Sequence, residues 1–537
     1  MARTGAELLV ETLVTAGVRH LFTLSGNQIL SVYDATLGRD IALIHTRHEA
    51  AAVHMADGWG RLTEEPGVAL VTAGPGHLNA LGALYTARMA ESPVVLLSGH
   101  APRSQLGRGA FQELDQLGAA RPVTKAAWLV DDPDRLGDAT ARALALARAG
   151  RPGPVHLSLP ADVLEARVSD AAAPQLPPGT PGAPPVAEAL IGEALDLLTK
   201  ARRPLILTGP AMGRPRRRAA VARCAEVTGI PALLMESPRG VNDPWLHGAT
   251  ACLRQADVVL LLGKRLDFSL RFGQSPPFSA ECRFIQVDPE GARASEGVAL
   301  VVGGDPAVVA QQLTAAARAR AWPRSAWAEE VAAARRAVPA EWAELARSSR
   351  QPIHPLRVCA ALQPFLAAGA VLVSDGGEFG QWAQAGLEAP ERLINGPSGS
   401  IGSGLPMALG AKLARPDRPV VVTLGDGTFG YHALEFDTAL RYRLPILAVV
   451  GNDARWNAEH QLQLRQYGAE RAVGCGLLPS RYDKVVEALG GHGEIVERPD
   501  DLGPALERAL RSGLPACVNV VIDGLPAPTF EGSTARH

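Results

Sequence analysis

Residues 424–453, LGDGTFGYHALEFDTALRYRLPILAVVGND, decide the fold of the last third of this chain. The stretch leaves one apolar run through a Gly-Asp-Gly turn, crosses an amphipathic segment and ends just after a second apolar run. Apolar strands that alternate with helices predict a parallel sheet covered on both faces. Because such a βαβ unit brings the carboxyl ends of its strands to one edge, Asp426 and Asp453 should lie close together.

Two neighbouring carboxylates repel each other, so this edge should hold a positive ion. Gly425 and Gly427 would let the backbone approach a bulky anion, which the amides of a helix beginning near Thr428 would face. Carboxylates and phosphate oxygens together suit a hard divalent cation, and Mg²⁺ is the default. The stretch therefore predicts a magnesium and phosphate site, with ordinary turn aspartates as the alternative.

The same plan occurs near the start of the chain. Residues 67–100 also have the pattern of a buried strand, a glycine-rich turn, a helix and a second buried strand. Residues 169–188 are rich in Pro and Gly and predict a linker, and the polar stretch 346–355 marks a weaker boundary. We therefore predict an α/β protein of three domains, each a mainly parallel sheet flanked by helices, with the outer two related by duplication. The predicted domains are residues 1–170, 185–345 and 355–537.

Composition excludes several classes of protein. The formal net charge is −2, with both signs interleaved, which gives no reason to expect a nucleic-acid partner. No apolar run reaches the ~18 residues of a membrane span, and the N-terminal segment lacks the pattern of a signal peptide. The six cysteines are scattered without a CxxC pair, which argues against a zinc site and for a reducing compartment. We expect a cytoplasmic protein.

The motif Gly425-Asp426-Gly427, followed by Asp453 27 residues after Asp426, resembles the cofactor motif of thiamine-diphosphate enzymes. In that family the aspartate and a later asparagine hold Mg²⁺, which in turn holds the diphosphate. The resemblance implies a pyrimidine-binding domain, a central domain and a diphosphate-binding domain, in that order. It also implies that Gly376 approaches the diphosphate, together with its neighbour Gly377.

This chain departs from the family at one point. It has Asn452-Asp453 where the family usually has two asparagines, and Asp453 falls on the metal-ligand position. The resemblance implies the backbone carbonyl of Arg455 as a further ligand. Because a second carboxylate adds negative charge beside a diphosphate, we hypothesise that Arg455 or Arg465 offsets it.

A second motif, RHEAAA at residues 47–52, places Glu49 at the start of an Ala-rich helix. An acid is favoured there by the helix dipole, whatever its function. The segment also resembles the one in which the family's glutamate hydrogen-bonds the aminopyrimidine ring of the cofactor. That bond favours the imino form, whose nitrogen deprotonates the thiazolium carbon. By the same resemblance Ile401 is the apolar residue beneath the bent cofactor, although simple core packing is an alternative role.

The resemblance also bears on the substrate and the assembly. Polar residues on loops over the cofactor are candidates to face the substrate, and Gln112 has the best support from its flanking pattern. These candidates are Asn27, Gln28, Gln112, Glu378 and His432. The family places Glu49 and Asp426 on different subunits, which implies a homodimer or homotetramer with active sites between subunits.

Several segments resemble acetolactate synthases, benzaldehyde lyase, 2-hydroxyacyl-CoA lyases and oxalyl-CoA decarboxylases. Residues 263–278 and 475–494 look closer to the last two. The implied chemistry makes or breaks a carbon–carbon bond next to the carbonyl of a 2-oxo acid, a 2-hydroxyacyl thioester or an aldehyde. We predict a carboligase, lyase or decarboxylase. The alternatives are an acetolactate synthase-like enzyme, a flavin-linked pyruvate oxidase-like enzyme and a non-catalytic binding relative.

The central domain leaves two questions open. Related families carry FAD or ADP there, and Gly209, Gly213 and Asp288 would be the contacts. The basic stretch 213–220, GRPRRRAA, is either a solvated face or a contact for a phosphate of coenzyme A.

Overall fold

The computed structural model of the chain contains three parallel sheets, each flanked by helices. It describes residues 3–176, 183–291, 297–322 and 325–530. The predicted α/β class is confirmed. Of the predicted linker, residues 177–182 lie outside the described part of the chain.

The first sheet has the strand order β2-β1-β3-β4-β6-β5, and all its paired strands are parallel. Its strands are β1 (His20–Thr23), β2 (Ala42–His45), β3 (Gly67–Val71), β4 (Val94–His100), β5 (Ala126–Leu129) and β6 (Val155–Pro160). Its helices are α1 (Gly5–Thr15), α2 (Leu30–Ala35), α3 (Glu49–Thr63), α4 (Pro75–Met89), α5 (Gln116–Ala120), α6 (Leu136–Arg148) and α7 (Ala161–Glu165).

The central sheet has the order β11-β10-β9-β7-β8 and is also parallel. Its strands are β7 (Pro204–Thr208), β8 (Ala232–Leu234), β9 (Val258–Leu262), β10 (Arg283–Asp288) and β11 (Val298–Gly303). Its helices are α8 (Glu188–Lys200), α9 (Pro215–Thr228), α10 (Ala249–Gln255), α11 (Pro306–Ala317), α12 (Trp327–Arg336) and α13 (Trp342–Leu345).

The third sheet repeats the plan of the first. Its strands are β12 (Val371–Ser374), β13 (Arg392–Ile394), β14 (Val420–Gly425), β15 (Leu447–Asn452), β16 (His492–Val496) and β17 (Ala516–Val521). Its helices are α14 (Pro355–Ala367), α15 (Gly377–Gly386), α16 (Gly404–Ala414), α17 (Asp426–His432), α18 (Glu435–Arg441), α19 (Asn457–Tyr467), α20 (Tyr482–Leu489) and α21 (Leu502–Arg511). The order β13-β12-β14-β15-β17-β16 matches the first sheet strand for strand, as duplication predicts.

The quoted stretch forms the centre of the third sheet. β14 and β15 are parallel neighbours with Gly425 opposite Gly451, and their Val-rich sequences suit strands buried on both faces. Asp426 follows β14 directly and Asp453 follows β15 directly. The single predicted crossover helix is instead two short helices, α17 and α18, and α17 begins at Asp426 because extended Gly425 already serves as its N-cap.

Helices α3 and α16 join the first and third domains. Glycines on both helices permit close contact, since a Cβ at Gly58 would lie 2.6 Å from the carbonyl oxygen of Met407. A Cβ at Gly410 would lie 2.2 Å from the carbonyl oxygen of Met55. These two contacts run in opposite chain directions, so the helices are antiparallel. Apolar side chains of both domains form one buried cluster around them.

Within the described residues, no helix combines the length and the apolar character needed to cross a membrane.

Candidate active site

A pocket of about 310 Å³ opens at the carboxyl edge of the third sheet. It lies where the sequence predicted a cofactor diphosphate, beyond the ends of β12, β14 and β15. All nine residues predicted to bind the diphosphate or its metal line it. They are Gly376, Gly377, Ile401, Gly425, Asp426, Gly427, Thr428, Asp453 and Arg455.

Glycines form the walls of this pocket because side chains would fill it. A Cβ at Gly427 would lie 2.6 Å from the ring of Trp456, and one at Gly376 would lie 2.7 Å from Ile401 Cγ2. Gly377 has a φ of 88° and open space where a side chain would start. Backbone N–H groups can therefore approach a bulky anion at this edge.

The two aspartates that face the pocket are held in a position unfavourable to their charge. Burial raises the pKa of Asp426 to about 6, although the carboxylate accepts the backbone N–H of Arg455 at 3.1 Å. Burial, with the nearby charge of Asp426, raises the pKa of Asp453 to about 7. A cation between them would stabilise both ionised forms.

Few side chains near this position could serve as metal ligands. In the described part of the chain, no group of three or more His, Cys, Asp or Glu side chains is arranged around a possible metal ion. Backbone and phosphate oxygens would thus complete the ligands of a metal ion held by Asp426 and Asp453. Such an all-oxygen set suits Mg²⁺.

The side chains of Asn452 and Asp453, the pair that departs from the family motif, point in different directions. The side chain of Asn452 points into the domain, where its Nδ2 donates to Asn519 Oδ1 and to the carbonyl of Ser480, each at 3.1 Å. Asp453 instead lines the pocket. The positive charge of Arg455 favours ionised Asp453, whereas Arg465 acts on Glu378. Of the two arginines proposed to offset the extra charge, the geometry favours Arg455.

Glu378 lies in the same pocket but is fixed by two hydrogen bonds. Its Oε1 accepts the backbone N–H of Ala527 at 2.6 Å, and its Oε2 accepts from Gln381 Nε2 at 2.9 Å. Burial raises the pKa of Glu378, while Arg239 from the central domain opposes the rise. The carboxylate thus anchors the C-terminal segment beside the pocket.

Sequence reasoning missed Asp375, which organises two walls of the pocket. This fully buried carboxylate accepts backbone N–H groups from Gly376, Gly402 and Gly404, at 2.7, 3.0 and 2.9 Å. Burial raises the pKa of Asp375 to about 6. The available signal was Ser-Asp-Gly-Gly at the end of the apolar strand β12, which parallels Leu-Gly-Asp-Gly at the end of β14.

The first domain carries a second cluster of predicted site residues. Glu49 is the first residue of α3 and only 7% exposed, and its Oε2 accepts from Asn79 Nδ2 at 3.0 Å. A Cβ at Gly76 would lie 3.3 Å from Glu49 Oε1. Gly76 is the second residue of α4 and directly follows the turn of residues 72–74 between β3 and α4, which is the counterpart of the Gly-Asp-Gly turn in the third domain.

The other two predicted residues border the same turn. Gln28 is buried, and its Oε1 accepts the hydroxyl of Thr72 at 2.5 Å. Gln112 has a positive φ of 58°, and its carbonyl oxygen would lie 2.6 Å from a Cβ at Gly74. The structure therefore brings Glu49, Gln28 and Gln112 together, while the neighbouring Asn27 is exposed.

The two clusters of one chain do not meet. None of the residues that line the third-domain pocket comes from the first domain. Because α3 and α16 are antiparallel, Glu49 lies towards the C-terminal end of α16, whereas Ile401 and Asp375 lie at its N-terminal end. The 11 residues of α16 separate these ends by about 16 Å.

His432 lies beside the first-domain cluster that contains Glu49 and not in the pocket. Its ring lies 5.8 Å from the ring of His48 and 5.9 Å from that of His54, between centroids. Burial lowers the pKa of His432 to about 3, so the ring is neutral. It is not among the residues that line the pocket, and its candidate role towards the substrate stays a prediction.

The predicted nucleotide contacts of the central domain are occupied by side chains of the first. Gly209 follows β7, and Asp288 ends β10. Arg151 donates to Asp288 Oδ2 at 2.8 Å. Glu91 accepts the backbone N–H of Ala211 at 3.0 Å, where a phosphate would otherwise bind.

Gly213 does not open a phosphate site either. A Cβ there would lie 2.7 Å from Leu234 Cδ2, and Gly213 lines a different cavity from the one at the ends of β9 and β10, which is only about 170 Å³. Ligand sites of typical size need about 300 Å³ or more. FAD or ADP does not fit this smaller cavity, and we assign no step to either.

The sequence also matches models of known protein families. Three family models match the chain, each within one of the three predicted domains. They describe the thiamine pyrophosphate enzyme N-terminal TPP binding domain (residues 3–119), its central domain (residues 191–313) and its C-terminal TPP binding domain (residues 375–520).

The chain belongs to the thiamine pyrophosphate enzyme family.

Thiamine pyrophosphate is thiamine diphosphate, so the predicted family, the predicted cofactor and the predicted enzyme class are confirmed. A relative named probable acetolactate synthase, from Mycobacterium bovis, is 38% identical over 528 residues and covers 96% of this chain and 95% of its own. The Bos taurus protein named 2-hydroxyacyl-CoA lyase 2 is 33% identical over 573 residues, which cover 97% of this chain and 90% of that protein. The Oryza sativa protein named 2-hydroxyacyl-CoA lyase is 32% identical over 567 residues, which cover 99% of this chain and 97% of that protein. The limits of the three domains and the roles of individual site residues stay predictions.

Proposed function

We propose that this thiamine-diphosphate enzyme is a lyase or carboligase that acts next to the carbonyl of a small 2-oxo acid, 2-hydroxyacyl thioester or aldehyde. The observation that carries the proposal is the pair Asp426, which is buried, and Asp453, which is half-buried, two carboxylates with raised pKa values at a glycine-walled pocket. The names of the relatives, a synthase and lyases, supply the class of reaction.

In this proposal Mg²⁺ is held by Asp426, Asp453 and the backbone carbonyl of Arg455. The metal and the glycine amides would fix the diphosphate, and Ile401 would support the rest of the cofactor. Bound thiamine diphosphate supplies the carbon nucleophile that attacks the substrate carbonyl. Glu49 would hold a proton at the aminopyrimidine ring, and Gln28 and Gln112 would orient the substrate.

We further propose that two copies of the chain build each active site. The support is the separation of Glu49 from the pocket of its own chain, which only a second copy can bridge. Apolar side chains lie exposed on the elements beside both clusters. On α4, Leu78 is 49% exposed and Tyr85 is 44% exposed. Tyr431 of α17 and Leu434, which connects α17 to α18, are both 55% exposed. We infer a homodimer or a tetramer of such dimers.

A cytoplasmic location is also part of the proposal. All six cysteines are free, buried thiols, which suits a reducing compartment.

An acetolactate synthase-like reaction is the second candidate, since the relative with that name is 38% identical. The two reactions differ in their products. A lyase cleaves the bond between the carbinol and thioester carbons of a 2-hydroxyacyl thioester to an aldehyde and a one-carbon thioester. A synthase joins two 2-oxo acids with release of one carbon dioxide.

The test is to incubate the purified enzyme, Mg²⁺ and thiamine diphosphate with either pyruvate or a 2-hydroxyacyl-CoA and to identify products by mass spectrometry. We expect aldehyde release from the thioester. Acetolactate from pyruvate alone would favour the second candidate. Turnover of neither, nor of other 2-oxo acids and aldehydes, would contradict the proposal.

A further inference from the structure

A second cavity, of about 520 Å³, lies where the three domains meet. Its wall combines Arg61 and Leu62 at the end of α3, the face of α9 and residues 388–397 around β13. It is larger than the diphosphate pocket and within the range of small-molecule sites, about 300–1,000 Å³. Nothing in the reaction proposed above uses it.

The acids that line this cavity are already paired with arginines. Glu236 pairs with Arg392 at 2.7 Å, Glu388 with Arg335 at 2.7 Å, and Glu391 with Arg415 at 2.8 Å and also with Arg418. Arg61 is likewise paired, with Asp57 at 2.5 Å. The negative charge around the cavity is therefore balanced.

Two other arginines of the cavity have no such partner. Arg214, at the start of α9, is 7% exposed and donates only to the carbonyls of Ala90 and Glu91, at 2.8 and 2.6 Å. Arg218 lies one turn further along and is exposed. Within the described residues, neither guanidinium has a carboxylate within 4.0 Å. Asp57 and Glu64 act on Arg214, and Glu391 acts on Arg218, only from beyond direct contact. A buried cation without a directly bound counter-charge is costly, so this end of the cavity attracts an anion.

The remainder of the lining is apolar. Met212, Val221, Leu233 and Leu393 contribute side chains that are at most 7% exposed overall. An inorganic anion would leave this surface in contact with water, whereas an organic anion would cover it.

We propose that the cavity binds a small organic anion whose carboxylate or phosphate group pairs with Arg214 and Arg218 and whose apolar body packs against Val221 and Leu393. Because all three domains contribute to the wall, the bound anion holds them together and stabilises the fold. The segment from Ile394 to Gly399 borders both this cavity and the diphosphate pocket, so the site is well placed to influence cofactor binding.

The experiment is calorimetric titration of the full-length holoenzyme with octanoate, octyl phosphate and the uncharged octanamide. We expect the two anions to bind and to raise the unfolding temperature, with octanamide at least about tenfold weaker. The stronger of the two anions identifies the head group as a carboxylate or a phosphate. Equal binding of octanamide, or no binding of either anion, overturns the proposal.

Variants locate the site and separate it from catalysis. Arg218→Gln should weaken anion binding about tenfold without changing basal turnover, and Ala222→Trp at the rim should block binding. Arg223→Gln is the matched control, since Arg223 is exposed on the same helix but does not line the cavity. Equal losses for Arg218→Gln and Arg223→Gln, or full binding in Ala222→Trp, would place the anion elsewhere and overturn the proposal.

Discussion

Buried carboxylates decide the chemistry of the pocket at the scale of single residues, and their neighbours give them different roles. Asp375 accepts three backbone N–H groups and holds the walls in place. Glu378 is fixed by Ala527 and Gln381. Glu459 lines the pocket as an exposed acid, whereas Asp426 and Asp453 follow the strand ends, and burial raises the pKa of both aspartates.

This difference predicts how the stability of the metal-free protein depends on pH. Because the pKa of Asp453 is raised from its ordinary value of 3.8 to about 7, the folded state binds more protons than the unfolded state between these values. Wild-type stability should therefore fall as pH rises from 4 to 7, and Asp453→Asn should lack that part of the fall. Thermal unfolding of metal-free protein between pH 4 and 8 measures it.

The matched control is Asp500→Asn, which removes an exposed acid that does not line the pocket. Its unfolding profile should run parallel to that of the wild type. The assignment of Asp453 is wrong if the Asp453→Asn profile also runs parallel, because the carboxylate would then titrate as in an unfolded chain.

At this scale the sequence predicted the residues that follow strands and begin helices. Asp426, Asp453 and Glu49 stand at such positions. The βαβ rule therefore predicted that they lie at the carboxyl edges of the sheets. Asp375 was missed because its role depends on the backbone N–H groups of a loop 27 and 29 residues away, which no local pattern indicates. His432 ends α17, which begins at Asp426, and so lies outside the pocket lining, while its role towards the substrate stays a prediction.

At the scale of elements, the first turn of α17 forms the floor of the diphosphate site. Gly427 lies against the ring of Trp456, whereas a Cβ at Gly430, one turn later in the same helix, would have no neighbouring atom within 4 Å among the described residues. The sequence could predict the glycine turn but not this contact, since Trp456 follows the next strand and its ring position depends on packing.

The two glycines therefore make a matched pair of substitutions. Gly427→Ala should force the Trp456 ring to move and weaken binding of Mg²⁺ and thiamine diphosphate by about tenfold or more, a loss of about 1.4 kcal/mol. Gly430→Ala should leave binding unchanged and raise stability by up to about 1 kcal/mol. Cofactor titration and thermal unfolding give both quantities. Equal cofactor affinity in the two variants would show that α17 does not line the site.

The three sheets differ in how far the sequence predicted their architecture. The apolar strands and their alternation with helices were sufficient to predict three parallel sheets and the duplication. The strand order, and the closure of the central domain by Glu91 and Arg151, depend on long-range contacts that single-sequence patterns do not contain.

At the scale of the whole molecule, the proposal requires Glu49 of one chain and Asp426 of another at each active site. Glu49→Gln and Asp426→Asn should each lower turnover by about 100-fold or more when alone. Chains of the two variants that are unfolded and refolded together should form mixed dimers with one intact site. Statistical mixing then restores roughly a quarter of wild-type turnover, because half of the dimers are mixed and half of their sites are intact.

The refolded single variants are the controls and should stay inactive. If each active site lay within one chain, the mixture would be as inactive as either variant. That result would contradict the shared site.

The central claim is that the acidic pair at the carboxyl edge of the third sheet holds thiamine diphosphate through Mg²⁺. Isothermal titration of thiamine diphosphate into metal-free protein, with and without Mg²⁺, tests it most directly. We expect one cofactor per chain with Mg²⁺, much weaker binding without it, and a loss of about tenfold or more in Asp426→Asn. Binding that is equally tight without Mg²⁺ and in Asp426→Asn would contradict the claim.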